Sequence, residues 1–401
     1  MGHIEQIAAR LAKQMTRQEV ILKAIEGRLK WYQAASILGI TDRQMRRIKE
    51  RYEREGYSGV QDRRGKRPRR KRISVEVVDQ VLTLRRAYYA DFSIAHFHEF
   101  LRQKHGLTLS EKWTRLLLQK AGLAEKAPAR GKFRRRRERR PMRGMLLHLD
   151  ASTHKWLQGQ PTYDLLAVID DADGRLLYAR LEPQESTMTS LRAIRDVVVR
   201  YGRFCELYTD RGSHFCTTTR AEAGPNVVQN GQIPRALKAL GIRHIRARSP
   251  QARGRSERAF RTIQGRLPQE LRLAGITDYA AANAYLEKIF MPKFNENFTV
   301  EPAESDSAFT RLDGLAVDLP LSVQHERIVQ PDNTVSFRGM TLQLRHSTTR
   351  IHYVRCPVTV HEFTDTSLGV TYTGHLLGLY DQDGQDISGK DLRKSDRKRA
   401  A

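Results

Sequence analysis

The sequence has few cysteines and no long apolar run, and both absences narrow the classes of protein to which it can belong. Three cysteines occur in 401 residues, and they are too few and too scattered for a disulfide framework or a Cys/His zinc cluster. There is no run of about 18 apolar residues, and no apolar segment follows basic residues at the N-terminus. We therefore expect a cytoplasmic protein that neither crosses a membrane nor is secreted.

Acidic side chains are also scarce relative to basic ones. The chain has 45 Asp and Glu against 71 Lys and Arg, which gives a formal net charge of +26 and an isoelectric point near 10.3. Residues 1–140 hold 36 of the basic and only 15 of the acidic side chains. A field of this sign attracts polyanions, so double-stranded DNA is the expected partner and the N-terminal third the expected contact.

Two basic runs separate the parts of the chain that have helical or strand patterns. Arg63–Arg72 has eight basic residues in ten, and Arg130–Arg140 has eight in eleven. Like charges at this density resist packing into a core, so both runs are predicted to be extended linkers. They either solvate the chain or bind DNA phosphates, and in the second case the contacts would include Arg134, Arg135 and Arg136.

The segment between Thr16 and Glu55 has the pattern of a DNA-binding domain. Its apolar residues recur at helical spacing with breaks at Gly27 and Gly39, which predicts three helices. A helix, a glycine turn, a cap at Thr41 and a cationic helix form the order of a helix-turn-helix, although a plain helical hairpin with a basic face remains an alternative. The second helix would present these side chains to the DNA major groove: Arg43, Gln44, Arg46, Arg47 and Lys49.

Three more helices are predicted over Val75–Tyr89, Ile94–Lys104 and Glu111–Lys120. Their apolar stripe is clear, but no helix among them is clearly a recognition helix. We interpret the set as a second helix-turn-helix with exposed Lys112 and Arg115. A structural spacer is the alternative.

From Met145 the pattern changes to strands. Three antiparallel strands are predicted, with a hairpin turn at Asp171–Gly174. This order of strands and helices is RNase H-like with a mixed sheet. The predicted elements are strands Met145–Asp150, Leu165–Asp170 and Arg175–Leu181, helix Thr189–Tyr201, strand Phe204–Asp210, helix Ile233–Leu240, strand Ile242–Ala247 and one long helix from about Gly254 to Arg272.

Three carboxylates are placed by this order where they could meet. Asp150 and Asp210 end neighbouring strands, and Glu257 lies on a helix that would pack across them. Magnesium or manganese prefers such hard oxygen ligands and leaves positions open for phosphate oxygens. Two ions about 3.5–4 Å apart could stabilise both the attacking and the leaving oxygen of a displacement at phosphorus.

The helix that carries Glu257 also has a strongly basic side. Phe260, Ile263 and Leu267 recur at spacings of three and four and predict its buried stripe. Basic side chains elsewhere on the helix would position a DNA strand without reading its sequence. These candidate phosphate contacts are Arg253, Arg255, Arg258 and Arg261.

Three motifs carry a resemblance to a known family: Leu149–Ser152 (LDAS), Tyr208–Phe215 (YTDRGSHF) and Ser249–Arg258 (SPQARGRSER). They resemble the acidic motifs of insertion-sequence transposases with a retroviral-integrase-like Asp-Asp-Glu core. Asp150–Gly159 and Arg272–Ile276 resemble ISNCY-type members in particular.

The resemblance implies that Asp150, Asp210 and Glu257 are the catalytic residues and metal ligands. It also implies binding of terminal inverted repeats, DNA strand cleavage and strand transfer by a homo-oligomer assembled on DNA.

Two features depart from the pattern of this family. Asp210 and Glu257 are 47 residues apart, longer than is usual, and the excess is expected in the polar loop Thr217–Gly231. Arg211 stands where asparagine is commoner. The functional alternative is a non-catalytic DNA-binding protein derived from a transposase. An RNA–DNA hybrid nuclease would share the core but would not need two helix-turn-helix modules.

Short β-like runs between Leu321 and Tyr380 predict a small C-terminal β-barrel. The whole chain is therefore expected to be a multidomain α+β protein. The predicted divisions are residues 1–57 (helix-turn-helix), 58–72 (basic linker), 73–126 (second helical domain), 127–144 (basic linker), 145–312 (RNase H-like core), 313–384 (β-barrel) and 385–401 (basic tail).

Overall fold

A computed structural model describes residues 18–60, 73–126, 138–210, 231–246, 254–312, 316–346 and 350–388. The chain divides into two compact units, Met1–Leu82 and Thr83–Ala401, and each is described by itself. No helix within these ranges has the length and the apolar character needed to span a bilayer.

Residues 18–60 of the first unit form three helices, as the sequence predicts. They are residues 18–25 (α1), Trp31–Leu38 (α2) and Asp42–Glu55 (α3), and a 3₁₀ turn, Gly56–Val60, follows them. Gly39 ends α2 with φ 62°, a conformation that favours glycine, and the Thr41 side chain caps α3 at the backbone N–H of Gln44. The turn and the cap thus set the angle between the two helices of the predicted helix-turn-helix.

The second helical set consists of α4 (Val75–Ala87), α5 (Ile94–His105) and α6 (Glu111–Lys120). These bounds lie within two residues of those predicted. Ser93 and Ser110 accept hydrogen bonds from the first turns of α5 and α6, which explains where both helices begin.

A five-stranded mixed sheet forms the centre of the second unit. Its strands are β1 (Leu146–His154), β2 (Tyr163–Asp170), β3 (Leu176–Glu182), β4 (Glu206–Thr209) and β5 (Arg243–Arg246), in the spatial order β3-β2-β1-β4-β5. The first three strands are antiparallel, and β4 and β5 run parallel to β1. The predicted mixed sheet is therefore confirmed, with β1 at its centre.

Each face of the sheet packs against its own helices because side chains alternate along a strand. Leu147 and Leu149 of β1 belong to the core shared with α7 (Thr187–Tyr201) and α8 (Gln232–Ala239). Ala167 and Ile169 of β2 face the opposite core, which contains the helices that follow residue 254.

The single helix predicted from Gly254 to Arg272 is wrong. The segment forms two helices, α9 (Ser256–Gln264) and α10 (Leu267–Leu273). Pro268 lies in the first turn of α10, where its missing N–H is tolerated. In a continuous helix its ring would clash with the carbonyl of Gln264, so the break falls at Gly265 and Arg266.

Further helical turns complete this face: α11 (Tyr279–Tyr285), a π-helical turn at Leu286–Phe290 and α12 (Met291–Phe298). The Asn295 side chain bonds both the N–H and the C=O of Leu176 on β3. This pairing fixes α12 to the edge of the sheet.

The described C-terminal strands do not form the predicted closed barrel. One sheet has four strands in the order β11-β10-β9-β6 and the other is a β7-β8 hairpin. Both sheets pack around one apolar core. Apolar runs predict strands but not which strands pair, so closure was not decided by the pattern. The bounds are Val323–Ile328 (β6), Thr334–Phe337 (β7), Met340–Gln343 (β8), Pro357–Glu362 (β9), Leu368–Tyr372 (β10) and His375–Tyr380 (β11).

Candidate active site

The two predicted aspartates belong to neighbouring parallel strands of the central sheet, Asp150 within β1 and Asp210 directly after β4. β1 and β4 pair from Leu146 opposite Glu206 to His148 opposite Tyr208. Asp150 is the fifth of the nine residues of β1, so the prediction that it ends its strand is wrong, whereas Asp210 follows the last residue of β4. Continued by two residues, the same register would set Asp150 beside Asp210, at the roughly 4.8 Å spacing of neighbouring strands.

Asp150 lies on the face of the sheet that α9 covers. It has the same orientation as His148 and Ser152, because residues two apart on a strand share a face. Its partner on β2 is Ala167, a member of the core that also contains α9. The residue is 9% exposed, and one carboxylate oxygen accepts the N–H of Ala151 at 2.9 Å.

Helix α9 is attached to this region at both ends. Arg255, just before the helix, donates to Asp171 Oδ1, which also accepts a 2.8 Å hydrogen bond from His148 Nε2. At the other end Gln264 Nε2 donates to Ser152 Oγ at 2.8 Å. The distance from Arg255 to Gln264 along a helix and the distance from His148 to Ser152 along a strand are both about 13 Å. Helix α9 therefore runs along β1 past Asp150.

Glu257 is in the first turn of α9 and is exposed. Among the described residues, no group of three or more His, Cys, Asp or Glu side chains is close enough to hold a metal ion. The part of the chain that the structure describes therefore does not bring Asp150, Asp210 and Glu257 together in one metal site. The aspartate pair suits a divalent cation such as magnesium in its donor chemistry, since both residues offer hard oxygen atoms.

An acidic cluster lies beside the site, in a segment where the sequence predicted only a hairpin turn. Asp170, Asp171 and Asp173 are at most 1% exposed. Burial raises the pKa of Asp170 to about 6. Burial would also raise the pKa of Asp171, but hydrogen bonds from His148 and Arg255 outweigh it and lower that pKa below its usual value.

This cluster holds the end of the second basic run. The backbone N–H of Arg140 donates to Asp171 Oδ2 at 2.9 Å, and Arg143 pairs with Asp173 at 2.8 Å. Arg140 also pairs with Glu206 at 2.7 Å. The predicted extended linker does not persist through residues 138–144, because buried carboxylates offset the repulsion among its cations. The sequence signal for this buried cluster was the presence of three aspartates within four residues, since a turn needs only one.

Comparisons with known proteins give the family. Residues 17–79 match the family described as "Winged helix-turn helix". The protein named "Putative transposase y4bF" from Sinorhizobium fredii is 34% identical over 379 residues, which cover 92% of this chain and 82% of that protein. The chain belongs to the transposase family. The "Transposase for insertion sequence IS1202" of Streptococcus pneumoniae is 27% identical over 322 residues, 71% of this chain and 68% of that protein.

Solved structures similar to this transposase include the catalytic core domain of HTLV-2 integrase in complex with magnesium, in its dimeric form. It is 16% identical, with a TM-score of 0.27, over 37% of this chain and 89% of that chain. A second is the simian T-cell lymphotropic virus intasome in complex with PP2A regulatory subunit B56 gamma. It is 14% identical, with a TM-score of 0.32, over 71% of this chain and 98% of that chain.

On α3 of the transposase, the predicted DNA contacts separate from the core residues. Met45 and Ile48 are buried, whereas the basic side chains between and around them are exposed. Gln44 has a second task, since its Oε1 accepts the N–H of Thr41 and completes the cap of the helix. The exposed basic residues of α3 that the sequence singled out are Arg43, Arg46, Arg47 and Lys49.

The other predicted DNA contacts differ in how accessible they are. Lys112 and Arg115 on α6 are exposed, and Arg115 pairs with Glu111. Arg258 and Arg261 on α9 are exposed as well, but the Arg255 side chain is only 13% exposed and is bonded to Asp171. Lying outside the described residues are Arg134, Arg135, Arg136, Arg253 and most of the loop Thr217–Gly231.

Proposed function

We propose that this transposase binds terminal inverted repeats through α3 and catalyses metal-dependent DNA cleavage and strand transfer at a site formed by Asp150, Asp210 and Glu257. The observation that supports this most directly is the parallel β1/β4 pairing, whose register, continued by two residues, would set Asp150 beside Asp210. The hydrogen bonds that attach α9 along the same stretch of β1 also support the proposal, because Glu257 lies in the first turn of that helix.

The residues of the chain have separable roles in this proposal. The three carboxylates would hold Mg²⁺ or Mn²⁺, two ions in all. Bound metal would lower the pKa of an attacking water or 3′-hydroxyl and offset negative charge at the phosphate. Arg258 and Arg261, exposed on α9, would hold a DNA strand at its phosphates.

We also propose that the transposase acts as a homo-oligomer. Strand transfer joins two transposon ends to one target, and each end needs its own set of DNA-binding helices. Assembly on DNA follows from this requirement, and the net charge of +26 supports it because bound DNA would reduce repulsion between subunits.

Asp150→Asn tests the catalytic assignment. We expect the variant to bind transposon ends like the wild type but to lose cleavage by at least about a hundredfold, because the amide removes one anionic metal ligand. Cleavage is measured in a single-turnover nicking assay with Mg²⁺ or Mn²⁺.

Glu206→Gln is the matched control for this substitution. It removes a carboxylate from the same sheet, at the opposite end of β4 from Asp210, and should retain cleavage. Full activity of purified Asp150→Asn would end the assignment.

A non-catalytic DNA-binding protein is the second candidate function. The observation that favours it is that, within the described ranges, the three carboxylates do not form a metal-sized group. The nicking assay separates the two functions, since the second one predicts specific end binding by the wild type with no metal-dependent cleavage.

A further inference from the structure

We propose that Asp171 is a positioning residue that sets the start of α9, and with it Glu257, against the strand that carries Asp150. The expected effect on catalysis rests on the proposed function, whereas the expected effect on the position of α9 does not.

One buried carboxylate connects the two elements. Asp171 is fully buried at the turn after β2, and it belongs to neither β1 nor α9. Its Oδ1 accepts hydrogen bonds from His148 Nε2 and from Arg255. His148 is two residues before Asp150, and Arg255 is two residues before Glu257. Asp171 is therefore the shared partner of both elements, and each of its two side-chain donors is two residues before a proposed metal ligand, Asp150 or Glu257.

The start of α9 needs such a partner. The helix has nine residues, and helices this short are marginal without tertiary contacts. Its N-cap position is Arg255, a residue type with no hydrogen-bond acceptor for the first N–H groups of a helix. The bond between Gln264 and Ser152 restrains only the far end. The bond to Asp171 adds a restraint at the end where Glu257 lies.

The contact between Arg255 and Asp171 depends on the negative charge of the Asp171 carboxylate. The Arg255 side chain is only 13% exposed and Asp171 is fully buried. Removal of either charge leaves the other one poorly solvated, which favours a shift of the helix start toward water. The third partner of Asp171, the backbone N–H of Arg140, ties the chain that arrives from the helical domains to the same point.

Asp171→Asn in the full-length protein tests the inference by hydrogen–deuterium exchange, without metal or DNA. We expect the amides of Ser256–Gln264 to exchange about tenfold faster than in the wild type. In single-turnover cleavage we expect at least a tenfold lower rate, with affinity for transposon ends within twofold of the wild type.

Asp173→Asn is the matched control. Asp173 lies in the same turn, is equally buried and bonds Arg143 and Arg175, which lie outside α9 and β1. This variant should lose stability but keep wild-type exchange in α9 and a wild-type cleavage rate. Faster exchange of α9 in Asp173→Asn, equal to that in Asp171→Asn, would overturn the inference, because general loosening would then explain both.

Arg255→Met and Arg255→Lys probe the contact from the helix side if Asp171→Asn does not fold. Arg255→Met should reproduce the faster exchange, and Arg255→Lys should restore part of the protection because it keeps a cation at the site. Unchanged exchange of α9 in Arg255→Met overturns the inference. If the wild type does not cleave DNA, the proposed function fails, and the exchange measurements still decide whether Asp171 positions the helix.

Discussion

At the scale of single residues, environment rather than residue type sets chemical behaviour. Asp170 and Asp171 are adjacent and equally buried, yet their pKa values shift in opposite directions. The Asp170 carboxylate accepts hydrogen bonds from the backbone N–H groups of Gly144 and Ala172, and burial dominates its pKa. Asp171 also accepts hydrogen bonds from two side chains, one of them a guanidinium, which stabilise its charged form. The sequence shows both residues as acids in a turn and cannot separate them.

His361 provides a residue-scale prediction for stability against pH. Burial lowers its pKa to about 4, and its two ring nitrogens bond Ser322 and Thr371. The unfolded state binds the proton more readily, with a pKa near 6.5, so stability is complete above pH 6.5 and falls as pH drops toward 4. This group contributes at most about 3 kcal/mol to that fall.

We expect His361→Gln to have a flatter dependence of unfolding free energy on pH between 7 and 5 than the wild type. Urea denaturation at several pH values measures it. His375→Gln, a change at an exposed position on β11, is the control and should follow the wild-type curve. A His361→Gln curve parallel to the wild type would contradict the prediction.

At the scale of elements, α5 is fastened to α10 and α12 by ionisable side chains that are buried or half-buried. His96 and Lys293 both donate to Glu270 on α10, at 3.1 and 3.2 Å, and Arg266 pairs with Glu99 at 2.6 Å. Burial lowers the pKa of His96, which acts against the raising effect of Glu270. The spacing of apolar residues predicted α5 correctly but showed nothing of this docking, because its partners lie about 170 residues away. The structure thus favours a fixed helical domain that presents α6, and its exposed cations remain candidate DNA contacts.

Glu270→Ala should destabilise the transposase by about 3 kcal/mol or more, since it leaves the buried donor of His96 and the half-buried hydroxyl of Tyr285 without their acceptor. Urea unfolding measures the loss. Glu111→Ala removes an exposed glutamate that pairs with Arg115 on α6 and should cost no more than about 1 kcal/mol. Equal losses in the two variants would argue against a buried network that holds α5.

At the scale of the whole molecule, the described cations include some that pair with acids and some that are exposed. Arg140, Arg143 and Arg255 are paired with acids of the second unit, whereas the basic residues at the start of α3 are exposed. Net charge alone therefore overstates the number of cations that can meet DNA.

Arg46→Ala with Arg47→Ala should weaken end binding at fixed salt by at least about tenfold. The slope of log affinity against log salt should fall by about two if both residues neutralise phosphates. Titration of a labelled transposon end at several salt concentrations measures both quantities.

The double variant Arg28→Ala with Arg54→Ala is the matched control. It removes two cations of the same unit that pair with Glu26 and Glu55, and its affinity should stay near that of the wild type. Equal weakening by both double variants would indicate general electrostatics instead of a recognition helix.

The linear order of residues determined most of the helices and strands. Apolar spacing and caps act over three or four residues, so they predicted the helices of both helical sets, the strands of the central sheet and the strand end that Asp210 follows, but not the extension of β1 beyond Asp150 to His154. Pro268 is a signal of the same local kind, and it indicates the break between α9 and α10 that the prediction of one long helix missed.

Only the tertiary structure decided which distant groups share a buried space. It placed the Asp171 carboxylate between His148 and Arg255, docked α5 against α10 and left the C-terminal strands in two sheets instead of a closed barrel. The reason is physical: a buried charge is stable only beside a partner, and that partner is chosen by packing across the fold, over separations that no local pattern encodes.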